Sequence, residues 1–213
     1  MTAGSKGLFI TLEGGEGSGK STLAATLEGA FAAAGHKVWR TREPGGTPGA
    51  DTIRALLVQG KGDRWTPMTE LLLVAAARHD HVTRRILPAL LAGDVVICDR
   101  FSDSTKAYQA GGGGLAVETV DAVGQLIDAP SPHLTLLLDI DPALGLARSR
   151  GNAAGEDRFE TLGQDFHARV RLAFLALAHS EPHRIAVLDA EQPADAVAQA
   201  AFAVIKDRLD IAL

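Results

Sequence analysis

The stretch Gly14-Gly15-Glu16-Gly17-Ser18-Gly19-Lys20-Ser21-Thr22 decides the fold. From Gly14 to Ser21 it matches the spacing of a glycine, four residues, then Gly-Lys-Ser. Glycines let backbone N–H groups turn inward around phosphate oxygens, and a following helix N-terminus adds a favourable dipole. In such a loop Lys20 reaches the β- and γ-phosphates and Ser21 can ligate Mg²⁺, while Gly15, Glu16, Gly17, Ser18, Gly19 and Thr22 shape the cradle. The bland alternative is a Gly-rich connection that holds nothing. The flanks argue against it. Residues 7–13 form a continuous apolar run that reads as a buried strand, and an Ala-rich helix follows to about Ala34, with Gly35 as a natural stop. Strand, loop and helix together predict a nucleoside triphosphate site with Mg²⁺. One residue is out of character: Glu16 puts a carboxylate inside a loop built for anions.

Outward from the loop, apolar β-rich runs alternate with helical ones. Strands are expected at 38–42, 94–98, 133–139 and 184–189. Helices are expected at 47–59, from Thr66-Pro67 toward Gly93 with Pro88 able to kink it, at 116–128, from Pro142 to about Arg150, from Glu160 to about His179, and from Pro193 onward. Alternation of this kind predicts parallel strands with crossover helices, an α/β layered sheet covered on both faces. There is no repeat or linker, so residues 1–213 read as one domain. Gly111 to Gly114 is the exception in texture, and four glycines in a row predict a flexible surface loop.

Bulk chemistry narrows the function classes. Net charge is −5, which argues against general nucleic-acid binding, so an anionic ligand must be held by placed cations. Fifteen of the 21 basic residues are Arg, although an Arg- and Ala-rich chain also reflects genome composition, so only arginines with a definite place count. The single cysteine, Cys98, excludes an internal disulfide and a cysteine metal cluster, and its Val-Val-Ile-Cys setting predicts a buried structural thiol. Met1 to Lys6 has no apolar core of a leader, and no apolar run approaches the ~18 residues of a membrane span. The expectation is a soluble cytoplasmic protein with no membrane partner.

Ligands of open α/β sheets gather at the carboxyl ends of strands. Asp99-Arg100 follows one such end, placing Asp99 to meet Mg²⁺ or its waters and Arg100 to clamp a phosphate; a helix cap and a solvated arginine are the alternative. Thr41-Arg42-Glu43-Pro44-Gly45-Gly46-Thr47 follows another, either as a plain turn or with Arg42 facing a phosphate. Arg78 shares a helix face with Leu71 and Val74, so it either snorkels at an edge or meets a ligand. Arg148, Arg150 and Arg158 bracket a polar, Gly-containing segment, a candidate lid over about 148–160 that can bring charge to a transferring group. A solvated loop whose Asp157 and Glu160 pair with those arginines is the competing reading.

Taken together, the loop at 14–22, the Arg-Glu-Pro-Gly-Gly-Thr run at 42–47, the Asp99-Arg100 … Ala107-Tyr108-Gln109 run and Asp157-Arg158-Phe159-Glu160 resemble thymidylate kinase in kind, order and spacing. The resemblance covers nearly the whole chain. It implies a P-loop nucleoside-monophosphate-kinase fold with a five-stranded parallel sheet and a short lid, usually a homodimer. It further implies transfer of the γ-phosphoryl group of ATP to dTMP, giving dTDP and ADP, with Mg²⁺. Carried over by match, Arg42, Arg54 and Arg100 hold or approach the dTMP phosphate. Arg78 addresses the thymine edge with Ser104, Thr105 and Gln109 nearby, and Tyr108 lies under the deoxyribose. Glu16 corresponds to an acid near the 3′ side of dTMP.

Two features set the chain's place within that resemblance. Positions 15–18 hold no arginine, so the resemblance is to the bacterial branch, whose lid supplies the charge; Arg150 and Arg158 are the candidates, with Arg148 behind them. Where the family usually has a phenylalanine four residues before the helix arginine, this chain has Val74, which offers no aromatic stacking. The nearest rival is another P-loop kinase acting on a different nucleotide or on a deoxynucleoside. Deoxynucleoside kinases share an Asp-Arg-Ser-like run but lack the Arg-Glu-Pro-Gly-Gly stretch. A GTPase switch would need an Asn-Lys-x-Asp motif, which does not occur here.

Overall fold

Leu8–Gly14 forms β1, the middle strand of a five-stranded sheet. The computed structural model describes residues 7–60, 64–149, 158–159 and 161–213. The other strands are β2 (Val38–Arg42), β3 (Val95–Asp99), β4 (Leu134–Asp139) and β5 (Ile185–Asp189). Their order is β2-β3-β1-β4-β5, and every pairing is parallel. The register aligns Leu8 with Val95 and Ile10 with Leu134, which leaves the ends of all five strands on one edge. That edge carries Gly14, Arg42, Asp99, Asp139 and Asp189.

The inner strands β1, β3 and β4 are largely apolar on both parities because both faces are covered, whereas the edge strand β2, VWRTR, is only partly buried. On one face α1 (Lys20–Ala33) and α9 (Ala194–Leu209) pack Leu27, Phe31, Ala201 and Ile205 onto Ile10, Leu12, Leu134 and Leu136. On the other, Phe9, Val96 and Cys98 meet Val82, Ile86 and Phe101, while Leu137 and Ile185 meet Val170 and Phe174 of α8 (Gln164–Ser180). Cys98 is the buried thiol expected; burial pushes it well above the usual thiol range, and its Sγ lies 3.1 Å from the carbonyl of Arg100. Among the described residues no helix is long and apolar enough to cross a membrane.

Two expectations change. The helix expected from Thr66 toward Gly93 is a composite. α2 (Pro48–Val58) is followed by α3 (Pro67–His81), a widened π turn over Val82–Ile86, and α4 (Leu87–Leu91). Pro88 sits in the first turn of α4, where its missing N–H costs nothing, and the preceding turn widens so that Leu87 N–H reaches Val82 O. The glycine run is not a flexible loop at its start. A short α5 (Ser102–Thr105) continues into a second π stretch, Lys106–Gly112, packed on α8. A Cβ at Gly111 would lie 2.5 Å from Ala173 Cβ, and one at Gly112 2.5 Å from the Phe166 ring. These glycines serve close helix contact, a role invisible without α8 in place. Helices α6 (Val117–Gln125) and α7 (Pro142–Ser149) complete the described elements.

Candidate active site

The loop between β1 and α1 bends through glycines at positive φ. Gly17, at φ 65°, is the tightest: a Cβ there would fall 2.0 Å from the carbonyl oxygen of Gly145 on α7. A Cβ on Gly145 would in turn lie 2.4 Å from Glu16 O, so loop and helix touch through backbone on both sides. Lys20 opens α1 and curls back into the loop. Its Nζ donates to Gly14 O (3.2 Å), Gly15 O (2.7 Å) and Ser18 Oγ (3.1 Å). Burial, then the neighbouring Arg100, lowers its pKa to about 8 against the opposing pull of Asp99, Glu16 and Glu13. Ser21 donates to Asp99 Oδ2 at 3.0 Å, bringing a hydroxyl and a carboxylate together beside the loop.

Arg100 takes the left-handed conformation, φ 66°, directly after β3. Its N–H bonds Leu12 O at 2.9 Å, so the turn is tied to the central strand. From there Nη1 donates to Gly14 O (2.8 Å) and Ser104 Oγ (3.3 Å), and Nη2 to Glu16 Oε1 (2.8 Å). The guanidinium lies 4.9 Å from the Tyr108 ring centre, and the Tyr108 hydroxyl donates to the same Glu16 oxygen at 2.8 Å. Burial opposes ionisation of Glu16, but Arg100, Lys20 and the Tyr108 hydroxyl outweigh it and hold its pKa at about 2. The carboxylate that looked misplaced is thus turned away from the cradle. It is permanently charged at neutral pH and faces a neighbouring cavity.

That cavity, about 120 Å³, gathers most of the expected acceptor residues. Glu16, Arg54, Val74, Arg78 and Arg100 line it, as do Ser104, Thr105, Tyr108 and Gln109. Arg78 is buried rather than snorkelling: Nε donates to Glu43 Oε2 (2.6 Å), Nη2 to Thr105 Oγ1 (2.9 Å), and its guanidinium lies 5.0 Å from the Phe101 ring centre. The other Glu43 oxygen meets His81 Nδ1 at 2.9 Å, and His81 Nε2 meets Thr41 Oγ1 at 2.7 Å. Arg54 Nη1 donates to Pro44 O at 2.9 Å, and Gln109 Nε2 to Glu70 Oε1 at 2.8 Å.

Other expected residues lie elsewhere. Arg42 ends β2 opposite Asp99, is exposed, and does not line this cavity. Arg158 is buried behind the cavity wall: it pairs with Glu70 Oε2 (2.7 Å) and donates to Leu57 O (2.9 Å). The reason is an acid in the first turn of α3, a partner the lid reading did not anticipate. Arg150, Asp157, Glu160 and the lid core 150–157 lie outside the described residues. Arg148 donates to Ala190 O (2.8 Å) and Glu191 O (3.3 Å). It borders a second cavity of about 410 Å³ whose opposite wall is Ser18, Gly19, Thr22 and Thr26.

Sequence reasoning missed three participants. Glu43 and His81 orient Arg78, and only the carboxylate inside the Arg-Glu-Pro run hinted at them. Glu13, fully buried, accepts from Phe101 N–H (2.8 Å) and from the Ser104 hydroxyl. Burial, then Asp103, raises its pKa to about 7. An acid closing an otherwise apolar strand was the available signal.

The phosphate loop therefore separates two cavities, one reached through Glu16 and the other through Ser18 and Gly19. Among the described residues, the cations Lys20 and Arg100 lie against the loop between them. Such a site suits transfer of a charged group between two bound molecules.

Comparison with known proteins agrees. A family model described as thymidylate kinase matches residues 12–201. A thymidylate kinase of Ruegeria pomeroyi is 50% identical over 192 residues, covering 90% of this chain and 91% of that protein. One from Caulobacter vibrioides is 49% identical over 209 residues, covering 97% and 99%. The crystal structure of thymidylate kinase from Ehrlichia chaffeensis superposes with a TM-score of 0.75 at 31% identity, covering 93% of this chain and 98% of that one.

Proposed function

The chain belongs to the thymidylate kinase family, and we infer from that membership that it transfers the γ-phosphoryl group of ATP to dTMP, giving dTDP and ADP. The observation that carries the assignment of the two substrates is the loop itself: Glu16 lines one cavity and Ser18 and Gly19 line the other. We assign dTMP to the first, between Arg78, Gln109, Tyr108 and Arg100. We assign the adenosine of ATP to the second, beside Arg148 and Thr26, with its phosphates running into the loop.

The geometry supports a division of labour between donor and acceptor sides. Lys20 and the N–H groups from Gly15 to Thr22 neutralise the donor phosphates. Arg100 sits between loop and acceptor and bridges the two phosphate groups, with Arg54, and Arg42 from the sheet edge, adding positive charge. Arg78, held by Glu43 and Thr105, and Gln109 present hydrogen bonds to the base edge. Tyr108, fixed to Glu16, closes the sugar side and leaves no room for a 2′-hydroxyl. Burial and the nearby Glu16 raise the Tyr108 phenol further, so it stays a donor at any working pH. Of the lid arginines, Arg150 takes the phosphate role, while Arg158 supports the cavity wall.

Mg²⁺ fits the donor set. Ser21 Oγ and the Asp99 carboxylate are hard oxygens 3.0 Å apart at the end of the loop. Mg²⁺ takes few protein ligands and keeps substrate phosphates and waters for the rest. When bound, it would screen the transferring phosphates; Ser21 and Asp99 would hold it directly or through water.

The test is ADP release measured across all common nucleoside and deoxynucleoside monophosphates. Turnover is expected with dTMP preferred, dUMP as a poor second, and little without an acceptor. Acceptor-independent hydrolysis, or a clear preference for another monophosphate, would sink the assignment.

A homodimer, the family's usual form, is supported by uncovered apolar residues on the α3–α4 run. Met68 and Leu72 lie one turn apart on α3, and Leu87 and Leu91 one turn apart at its far end. Leu72 leaves 53% of its surface exposed and Leu91 86%. Sedimentation is expected to give twice the chain mass for the wild type and the chain mass for Leu72→Glu; a monomeric wild type refutes the dimer. The buried, free Cys98 suits the reducing cytoplasm in which we place the enzyme.

A further inference from the structure

The acceptor cavity has an aromatic wall that its polar residues do not explain. Its polar side is Arg78, Thr105 and Gln109; the facing side is apolar, made by Leu57, Val58, Val74 and Phe159. Phe159 belongs to the lid segment expected at about 148–160, yet it is pinned on both flanks. Before it, Arg158 N–H donates to Val58 O (3.3 Å), and the Arg158 guanidinium holds Glu70 (2.7 Å) and Leu57 O (2.9 Å). After it, Thr161 Oγ1 donates to Arg158 O (2.7 Å) and Leu162 N–H to Phe159 O (3.2 Å). The ring stands edge to face with Tyr108, centroids 5.7 Å apart and planes at 88°, and it packs in one apolar cluster with Val74.

We propose that Phe159 is a specificity-determining residue that packs its ring on the face of the acceptor's pyrimidine, and that Arg158 is the positioning residue that holds it there. This rests on the reading that the cavity takes the dTMP base. A planar base has polar edges and two apolar faces. With the edge satisfied by Arg78 and Gln109, a face must lie against the apolar wall, where Phe159 supplies the ring among the described residues. Val74, too small to stack, backs it. The role of Arg158 follows from its shape: a planar cation that grips Glu70 and the Leu57 carbonyl at once fixes the turn in direction as well as position.

The test compares KM for dTMP with KM for ATP. Phe159→Leu keeps apolar bulk and removes the π face, and it is expected to raise KM for dTMP about tenfold, the scale of one base–aromatic stack. KM for ATP and Tm should hold. The double variant Phe159→Ala with Val74→Phe restores part of the lost volume and returns a ring from the neighbouring position; it should recover most of the loss seen in Phe159→Ala alone. An unchanged KM for dTMP in Phe159→Leu, parallel rises for both substrates with a lowered Tm, or a double variant no better than Phe159→Ala would each overturn the proposal. If the wild-type protein shows no dTMP-dependent turnover, the functional reading falls and this inference with it. An active wild type with indifferent variants removes the inference alone.

Discussion

Lys20→Met is expected to lower kcat about a thousandfold, the upper range for losing one preorganised charge at a developing anion. Methionine keeps the length and apolar stem of the side chain, so the buried channel beside the loop stays filled. What disappears is the ammonium that reaches Gly14 O, Gly15 O and Ser18 Oγ. In the reaction the same ammonium would move onto the β- and γ-phosphates, where charge shifts in the transition state. Binding of dTMP, measured separately by calorimetry, should change little, because Lys20 does not line the acceptor cavity. A kcat within tenfold of wild type would refute the assigned role.

The same residue sets an alkaline limit. Burial and Arg100 hold the Lys20 pKa at about 8, below the usual lysine range. Protons leave as pH rises, so kcat/KM for ATP should fall as pH climbs through about 8, reflecting the free enzyme. Bound phosphates favour the ammonium and should carry the limb in kcat to higher pH. The limb at about 8 should be missing from Lys20→Met.

Arg100→Gly should reduce kcat/KM for dTMP by about two to three orders of magnitude, in line with loss of a buried, paired charge. Glycine accepts φ 66° without strain, so the loss reports the side chain and not the turn. Two consequences combine. The acceptor phosphate loses its cation, and Glu16, held at about 2 by Arg100, Lys20 and Tyr108 against burial, loses its principal partner. Glu16→Gln should impair dTMP phosphorylation more than ATP binding, measured by nucleotide titration. Because the two side chains touch at 2.8 Å, their effects should combine to less than the product of the single losses. Independent losses, or a Glu16→Gln defect centred on ATP, would show that the pair does not join loop to acceptor.

Much of this site was legible at the level of residues that signal locally. The loop from Gly14 to Thr22 declares itself because phosphate binding needs small residues, a lysine and a hydroxyl at fixed offsets. Arg78 was placed on the correct face because α3 repeats every 3.6 residues, and Leu71 and Val74 mark that face. Its partner Glu43 was not legible. The two are 35 residues apart, and nothing local says that the end of β2 lies against the middle of α3. Arg158 shows the same limit more sharply. Its composition and neighbours read as a lid cation, while the structure gives it Glu70 and, 101 positions away, the carbonyl of Leu57. Gly111 and Gly112 read as slack until α8 supplies the Ala173 and Phe166 they must clear.

The sequence by itself determined the parallel α/β sheet, the phosphate loop at its centre and the places of Lys20 and Arg100 beside it. Each of those follows from periodicity or from spacing within a few residues. Only the tertiary structure decided which residues share the cavity that Glu16 lines, that Glu43 and His81 orient Arg78, and that Arg158 and Phe159 build a wall. Those choices depend on which long-range ion pairs and apolar contacts form when helices close over the sheet. A charged side chain entering that low-dielectric space must take a partner that packing, not chain neighbourhood, has brought within reach.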